Sequence, residues 1–273
     1  VGETVGLRVR LQSKIGPKTR IEVVTEGVFS RMILDDPGLE GVGAVLFDEF
    51  HERSLDADLG LALARDAQLL LRDDLRLLVM SATLDGARVA SLLGDAPIIE
   101  RQGRQFSVET IYLGRDPARR LEEQAARAVR KVLGEQPGSL LVFLPGQGEI
   151  RRVERMLHDV GLPSNVDIAP LYGALELKAQ DQAIAPAAPG RRKVVLATSI
   201  AETSLTLDGV SVVVDSGLAR LAEFDRAAGT THLVTRRASQ ASAAQRAGRA
   251  GRQGPGVAYR LWEEAGHAGR PEF

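Results

Sequence analysis

The fold class of this chain can be read from "VLFDEFHERS", residues 45–54, where a short apolar run leads directly into acidic and basic residues. The run Ala44–Phe47 contains no polar residue, which is typical of a strand that is buried on both faces of a parallel sheet. In such sheets, ligands bind beyond the carboxyl ends of the strands. The sequence therefore predicts an α/β fold in which Asp48 and Glu49 lie where a ligand would bind.

Other largely apolar runs occur along the chain, and helical patterns alternate with them. These runs cover residues 75–80, 140–144, 194–197 and 210–214. Apolar residues recur at helical spacing through residues 121–132 and 150–160, and Gly134 and Gly161 are placed to end these two helices. The alternation of strands and helices indicates an α/β architecture.

Length and composition indicate two domains and exclude several classes of protein. We expect domains at residues 1–103 and 104–273, because 273 residues suffice for about two domains and a polar, interrupted segment begins near residue 101. A net charge of −1 gives no general basic field, so a nucleic-acid partner would be held by local patches. The absence of cysteine excludes disulfides and thiolate metal sites. No apolar run is long enough to span a membrane, and we expect a cytoplasmic protein.

The acidic cluster after the first strand has three chemical interpretations. A carboxylate at Asp48 could hold Mg²⁺ through its waters, and one at Glu49 could orient or deprotonate an attacking water. The pair could instead be a solvated strand end followed by a helix N-terminus, which favours acids. A transition-metal site of Asp48, Glu49 and His51 is a third interpretation, although adjacent residues on a strand end point in different directions.

Hydroxyl residues follow two further strands. In "MSATLD", residues 80–85, Ser81 and Thr83 could hydrogen-bond the first cluster, or Thr83 could cap a helix. In "ATSIAETSLTLDG", Ser199 and Glu202 have the spacing of a capping box. A helix N-terminus with free N–H groups and hydroxyls would bind an anion, while an ordinary cap is the alternative interpretation.

The most informative stretch of the second half is "QRAGRAGRQGPG", residues 245–256. If it is helical, Arg249 and Arg252 share a face, and together they could neutralise the charge that develops on a transferring phosphoryl group. The alternative is a basic surface helix. Two glycines inside a helix cost about 1 kcal/mol each relative to alanine, a cost that a surface helix has no reason to bear.

Taken in order, "DEFH", "SAT", "ATSIAETSLT" and "QRAGRAGR" resemble the superfamily 2 helicases of the DEAH-box group, in particular the bacterial HrpB-type branch, where the box also reads "DEFH". The stretches "TEGVFSRM", "LLVFLPGQGEI" and "LYGALELKAQ" resemble further motifs of the group. The resemblance covers essentially the whole chain. It implies two RecA-like parallel-sheet domains in tandem, the first N-terminally truncated, with ATP and Mg²⁺ as cofactors.

The resemblance also implies residue roles in ATP hydrolysis. Asp48 would coordinate Mg²⁺, and Glu49 would be the catalytic base. Gln245 would help to position the attacking water, while Arg249 and Arg252 would be arginine fingers from the second domain. Three further residues would belong to the nucleotide site: His51 would tie it to the second domain, Ser204 would sense the γ-phosphate, and Asp208 would lie near the nucleoside. Ser81 and Thr83 would couple the nucleotide state to movement.

For nucleic acid, the resemblance implies backbone contacts from Thr25, Gly27, Thr198 and Ser199. Residues 220–235 would form a strand hairpin that helps to part the duplex. We expect single-stranded RNA as the partner, since the group mostly acts on RNA, although no residue here distinguishes RNA from DNA. The sequence gives no oligomeric state, and no membrane partner is expected.

Two departures from the family limit these expectations. A phosphate-binding G-x-x-x-x-G-K-[ST] loop is missing from the sequence, which has no Gly-Lys dipeptide, and in the family that loop lies upstream. We therefore expect an ATP-dependent helicase whose fragment hydrolyses ATP poorly or not at all by itself. A non-hydrolysing nucleic-acid-binding module and a metal-dependent hydrolase are the alternatives. Ile184 replaces a frequent aromatic residue, which predicts weaker base stacking and relaxed nucleotide choice.

Overall fold

The computed structural model describes residues 2–52, 54–81, 86–100, 106–202 and 207–272. The chain divides into two compact units, Val1–Arg101 (unit 1) and Gln102–Phe273 (unit 2). Both units combine helices with parallel strands, so the predicted α/β class is confirmed. Among the described residues, no helix combines the length and the apolar character needed to cross a bilayer.

The described part of unit 1 has two small sheets and three helices. Its strands are β1 (Val5–Val9), β2 (Gln12–Lys14), β3 (Ile21–Val24), β4 (Ala44–Phe47) and β5 (Arg76–Val79), and its helices are α1 (Glu26–Asp35), α2 (Leu55–Leu70) and α3 (Gly86–Leu92). One sheet has the order β2-β1-β3, and the other pairs β4 with β5 in parallel. A 3₁₀ turn, Phe50–Glu52, leads from β4 toward α2, whose N-cap Ser54 accepts a hydrogen bond from the Ala57 N–H at 3.0 Å.

The β4–β5 sheet is buried on one face. Val45 packs with Phe29 of α1 and Ala64 of α2 in the main core of the unit. On the opposite face, Leu46 is 57% exposed and Leu78 is 48% exposed. The prediction that this strand pair is buried on both faces is therefore wrong for the described residues, because side chains alternate across a strand and the core of α1 and α2 lies on one side.

Unit 2 is built on a larger sheet. Its strands are β6 (Val108–Tyr112), β7 (Ser139–Phe143), β8 (Val166–Leu171), β9 (Arg192–Ala197), β10 (Val210–Asp215), β11 (Leu218–Asp225), β12 (Thr230–Arg237) and β13 (Gly256–Arg260), and its helices are α4 (Leu121–Glu135), α5 (Gln147–Val160), α6 (Leu177–Ile184) and α7 (Gln240–Gly248). Six of the strands form a sheet in the order β6-β13-β10-β7-β9-β8, in which every neighbouring pair is parallel.

Helices cover both faces of this six-stranded sheet. Leu140 and Val142 of β7 pack in a core with α4 and α5, whereas Leu141 and Phe143 pack in a second core with α6 and α7. All four side chains are fully buried. The continuous apolar run predicted for this strand is confirmed, since each successive side chain enters a different core.

The ends of two helices test the predicted glycine caps. Gly161 follows α5 with φ 77°, and its N–H donates to the His158 carbonyl at 3.1 Å, so this prediction is confirmed. Gly134 does not end its helix, because α4 continues to Glu135 and is capped by Gln136, whose N–H donates to the Val132 carbonyl at 2.8 Å. The prediction for Gly134 is therefore wrong.

Candidate functional site

The ends of β4 and β5 are joined by main-chain hydrogen bonds that bring two predicted motifs together. The Met80 N–H donates to the Phe47 carbonyl at 2.8 Å, and the Phe50 N–H donates to the Met80 carbonyl at 3.0 Å. Asp48 and Glu49 lie between these contacts, and Ser81 follows Met80 directly. The structure thus brings the "DEFH" stretch and Ser81, the first residue of "SAT", to one end of the strand pair, as expected for the carboxyl ends of parallel strands.

Glu49 has a strained backbone at this edge. Its φ is 49°, in the left-handed region that a glutamate rarely adopts. The Glu49 N–H donates to Oδ1 of Asp48 at 2.9 Å, and Nδ1 of His51 lies 3.5 Å from Glu49 Oε2. The His51 side chain is 10% exposed, which gives the half-buried Glu49 carboxylate a fixed neighbour. Such strain of about 1–3 kcal/mol persists where surrounding contacts hold it, and it is concentrated at functional sites.

The donor set at this edge fits Mg²⁺ better than a transition metal. In residues 2–52, 54–81, 86–100, 106–202 and 207–272, no group of three His, Cys, Asp or Glu side chains is placed to hold a metal ion. The alternative site of Asp48, Glu49 and His51 is therefore wrong. The exposed carboxylate of Asp48 remains, and one or two carboxylates beside substrate phosphates are the usual protein contribution to Mg²⁺.

The predicted nucleic-acid contacts of unit 1 lie at the start of α1. Thr25 is its N-cap residue, with an extended backbone and no capping bond from its side chain, and both Thr25 and Gly27 are exposed. Glu26 accepts a hydrogen bond from the Ser54 hydroxyl, which joins this turn to the start of α2. The exposed N-terminus of α1 presents main-chain N–H groups of the kind that bind phosphates.

In unit 2, the predicted capping box at Ser199 and Glu202 is wrong. Thr198 and Ser199 follow β9 and lead into a 3₁₀ turn, Ser199–Ala201, that has no side-chain cap. Ser199 is exposed and Thr198 is half-buried. Glu202 does not fold back on the turn, because its carboxylate binds Arg246 of α7, and a charged partner gives a stronger bond than a main-chain N–H.

Arg246 is a buried residue to which the sequence interpretation gave no role. It is 1% exposed, and its Nε and Nη2 donate to Glu202 Oε1 at 2.8 and 2.6 Å, while Nη1 donates to Asp215 Oδ1 at 2.8 Å. Burial alone would lower the pKa of Arg246, but the two carboxylates raise it above its ordinary value. A signal was present in the sequence, since Arg246 lies three residues after the buried Ala243, on the core-facing stripe of α7.

The two predicted arginine fingers do not share one helix. α7 ends at Gly248, a 3₁₀ turn spans Arg249–Gly251, and Arg252 follows that turn. Arg249 is 4% exposed and its Nε donates to the Glu202 carbonyl oxygen at 2.7 Å, whereas Arg252 is exposed. The prediction that both arginines lie on one α-helix is therefore wrong, and one of them is buried while the other is exposed.

A close backbone approach explains one of the two glycines in this stretch. A Cβ at Gly251 would lie 2.7 Å from the Phe106 carbonyl oxygen, whereas a Cβ at Gly248 would meet nothing within 4 Å. The main-chain N–H of Phe106 also donates to the Gly251 carbonyl at 3.1 Å. Gly251 is thus required by the segment that enters β6, and not by a helix surface.

Three further predicted residues of unit 2 lie on α7, just before β10 and at the end of α6. Gln245 is half-buried on α7, and Asp208 Oδ1 accepts a hydrogen bond from Gln253 Nε2 at 2.6 Å. Ile184, at the end of α6, packs partly against the core. Thr83 and Ser204 lie outside the described residues.

A strand hairpin is present where the sequence predicted one. β11 and β12 pair in antiparallel register from Leu218 with Arg237 to Asp225 with Thr230. Phe224 is 62% exposed. At the base of the hairpin, Arg220 Nη2 lies 3.4 Å from the Glu149 carboxylate of α5, an attachment that holds the hairpin beside the start of that helix.

Aromatic and cationic side chains form a cluster at the ends of β6 and β13. The guanidinium of Arg270 lies 4.0 Å from the Trp262 ring centroid, and Arg260 Nη1 donates to the Tyr112 hydroxyl at 2.6 Å. The His267 ring stacks on Trp262 with centroids 6.3 Å apart. Burial, and then the charges of Arg260 and Arg270, lower the pKa of His267. The cluster anchors the segment after β13 to the sheet.

Comparison with known proteins gives relatives that match nearly the whole chain. The helicase conserved C-terminal domain family matches residues 124–254. The ATP-dependent RNA helicase HrpB of Escherichia coli (strain K12) is 55% identical over 260 residues, which are 95% of this chain and 32% of that protein. The pre-mRNA-splicing factor ATP-dependent RNA helicase prp22 of Schizosaccharomyces pombe is 41% identical over 268 residues, 96% of this chain and 23% of that protein. The chain spans a third or less of the length of these two relatives.

Two solved structures are similar to this chain. The crystal structure of Escherichia coli DEAH/RHA helicase HrpB matches with a TM-score of 0.93 and 53% identity, over 99% of this chain and 34% of that one. The crystal structure of Escherichia coli DExH-box NTPase HrpB matches with a TM-score of 0.88 and 52% identity, over 100% of this chain and 34% of that one. The predicted RecA-like, parallel-sheet fold is confirmed by these similarities.

Proposed function

Because this chain belongs to the DEAH/RHA helicase family, we propose that it contributes catalytic and RNA-binding residues to an ATP-dependent RNA helicase. Two of its relatives are ATP-dependent RNA helicases by name. The observation that carries the proposal is the strained Glu49, whose carboxylate lies beside His51 at the carboxyl end of β4. Backbone strain is concentrated at functional sites, and ligands of parallel sheets bind at the carboxyl ends of the strands. Both points support a catalytic role for the Glu49 carboxylate over the alternative that it is merely a solvated residue at the end of β4.

In this proposal, Glu49 is the general base for the water that attacks ATP. His51 fixes the orientation of its carboxylate, and Gln245 helps to position the water. Arg249 and Arg252 neutralise the negative charge that develops on the transferred phosphoryl group, which is the main contribution a protein makes to this reaction.

Mg²⁺ would be held by Asp48, whose exposed carboxylate accepts a hydrogen bond from the Glu49 N–H at 2.9 Å. Bound there, the ion would offset phosphate charge. We also assign Ser204 and Asp208 to the nucleotide, and Ser81 and Thr83 to the coupling of nucleotide state with movement. The assignment of Ser81 is supported by its position directly after Met80. The main chain of Met80 is hydrogen-bonded to Phe47 and to Phe50, the residues on either side of Asp48 and Glu49.

RNA would be gripped through its backbone. Thr25 and Gly27 present the exposed start of α1 in unit 1, and Thr198 and Ser199 present the turn after β9 in unit 2. Contacts of this kind read phosphates and shape, so we propose single-stranded RNA without sequence preference. The low aromatic content, 4% of residues, agrees with a grip that does not depend on base stacking. The hairpin β11–β12 would help to part a duplex.

The test is ATP turnover by the full-length gene product, measured with and without single-stranded RNA. We expect RNA to stimulate turnover. Glu49→Gln should lower kcat by at least about 10²-fold, as loss of a general base does. Arg249→Ala should lower kcat by about 10³-fold or more, as loss of an arginine finger does. Glu40→Gln and Arg191→Ala, at exposed positions in the same two units, are the matched controls and should leave kcat unchanged.

Two outcomes would contradict the proposal. If the wild-type protein binds RNA but does not hydrolyse ATP, it is a non-hydrolysing nucleic-acid-binding module. If it hydrolyses ATP and Glu49→Gln is as active as Glu40→Gln, the catalytic base lies elsewhere. Stimulation by single-stranded DNA equal to that by RNA would refute only the assignment of RNA.

A further inference from the structure

Glu202 joins two parts of unit 2 that the proposed function treats separately. It follows the turn that contains Ser199, and its N–H donates to the Ser199 carbonyl at 2.8 Å. Its own carbonyl oxygen accepts a hydrogen bond from Nε of Arg249 at 2.7 Å. One residue, through its N–H and its carbonyl, therefore lies between a proposed RNA contact and a proposed catalytic arginine.

The Glu202 side chain holds this residue against α7 through two side chains of the helix. Oε1 accepts from Nε and Nη2 of Arg246 at 2.8 and 2.6 Å, and Oε2 accepts from the Ser242 hydroxyl at 3.0 Å. The side chain is 14% exposed, so water competes little for these bonds. Ser242 and Arg246 are four residues apart, and thus lie on one face of the helix.

Arg246 is itself fixed to the ends of central strands. Nη1 donates to Asp215 Oδ1 at 2.8 Å and to the Leu218 carbonyl at 3.2 Å. Its guanidinium lies 5.0 Å from the ring centroid of Phe143. Asp215 ends β10 and Phe143 ends β7. Arg246 therefore connects Glu202 to the ends of two adjacent strands of the six-stranded sheet.

We propose that Glu202 is a positioning residue, whose carboxylate, held by Arg246 and Ser242, fixes the peptide carbonyl that orients Arg249. The inference rests on the proposed role of Arg249 in hydrolysis and extends it. Ordering a long arginine side chain costs conformational entropy. If Arg249 is already held at its Nε before the reaction, that entropy is not lost during the reaction itself. The role differs from a capping role, because the acting group is the Glu202 carbonyl and the carboxylate serves to hold it.

The kinetic test uses the full-length gene product with two substitutions of Glu202. In Glu202→Ala, we expect kcat for RNA-stimulated ATP hydrolysis to fall at least tenfold, while KM for ATP and Kd for single-stranded RNA change less than twofold. In Glu202→Gln, the amide oxygen can still accept from Arg246, and kcat should return to within about threefold of wild type. Rescue by the isosteric amide distinguishes a requirement for geometry from a general loss of structure.

Arg192→Met is the matched control for stability. Arg192 starts β9, and its Nη1 and Nε donate to the carbonyls of Leu133 and Gly138 at 2.9 and 3.0 Å. It lies about 20 Å along the strand from the turn after β9, at about 3.3 Å per residue. This variant should melt at a lower temperature with unchanged kcat. A kcat in Glu202→Ala equal to that of Arg192→Met, or an increase in KM alone, would overturn the inference.

A structural readout keeps the inference separate from the proposed function. Crystal structures of full-length wild type, Glu202→Ala and Glu202→Gln would show whether Arg249 Nε stays within 3.5 Å of the carbonyl of residue 202. We expect the contact to be lost only in Glu202→Ala, and its persistence there would refute the inference. If wild-type protein hydrolyses no ATP and the contact is nevertheless lost in Glu202→Ala, the proposed function fails while the positioning of Arg249 by Glu202 stands.

Discussion

Removal of the Arg246 guanidinium should strongly destabilise unit 2. Arg246→Met keeps most of the side-chain length but leaves the carboxylates of Glu202 and Asp215 without their cation. Asp215 is 3% exposed, its Oδ2 has no hydrogen-bond partner among the described residues, and the Gly217 N–H that donates to its Oδ1 at 2.8 Å carries no charge. Breaking a buried ion pair by removing one partner costs about 3–5 kcal/mol, and we expect a loss near the middle of that range.

The assay is urea unfolding followed by tryptophan fluorescence, since Trp262 is the only tryptophan of the chain. Trp262 is a suitable reporter because Arg270, which stacks on its ring, also donates to the Gly217 carbonyl at 2.8 Å, two residues after Asp215. With a urea dependence of about 2 kcal/mol per molar, a loss of about 4 kcal/mol lowers the midpoint by about 2 M.

Arg191→Met is the matched control, because Arg191 and Asp167 form an exposed ion pair in the same unit. Water screens such exposed pairs, so the midpoint of Arg191→Met should fall by only a small fraction of the shift expected for Arg246→Met. If Arg246→Met and Arg191→Met shift the midpoint equally, the buried network does not stabilise unit 2, and the reasoning from burial is refuted.

Two further predictions concern a glycine and a histidine of unit 2. Gly251→Ala should lower the free energy of unfolding by about 1–3 kcal/mol, because the added Cβ would lie 2.7 Å from the Phe106 carbonyl oxygen. The control Gly248→Ala should be neutral or slightly stabilising, since its Cβ would meet nothing within 4 Å. Equal melting temperatures of the two variants would contradict the close approach at Gly251. His267 has a lowered pKa, through burial and then the charge of Arg260, so below about pH 6.5 the unfolded chain binds a proton that the folded chain does not. The urea midpoint of the wild type should therefore fall as the pH is lowered from 7 to 5, and the midpoint of His267→Gln should fall less over the same range. If the two proteins show the same dependence of midpoint on pH, His267 is not the group responsible.

Local patterns in the sequence were sufficient to predict several strands and helices and the kind of residue found at one strand end. The run 140–144 predicted a strand buried on both faces, and β7 contacts a different core with each successive side chain. Gly161 predicted the end of α5, since a left-handed residue is needed there. The strand-end rule for parallel sheets placed Asp48 and Glu49 where the backbone proves to be strained.

The sequence by itself thus determined what depends on neighbours in the chain: the α/β class, several of the strand and helix stretches, and the residue types at the strand ends. The tertiary structure decided which partners those residues have. Glu202 has the local spacing of a capping box, yet it binds Arg246, 44 residues away, because packing of α7 brings a buried cation to its carboxylate. The cost of Gly251 in a helix argued against a plain surface helix, but only the structure identifies the segment whose approach it allows, at the Phe106 carbonyl. Sequence spacing gives only the separation of residues along the chain. The partner of a buried charge, and the need for a residue without a Cβ, depend on which segments lie close together in space.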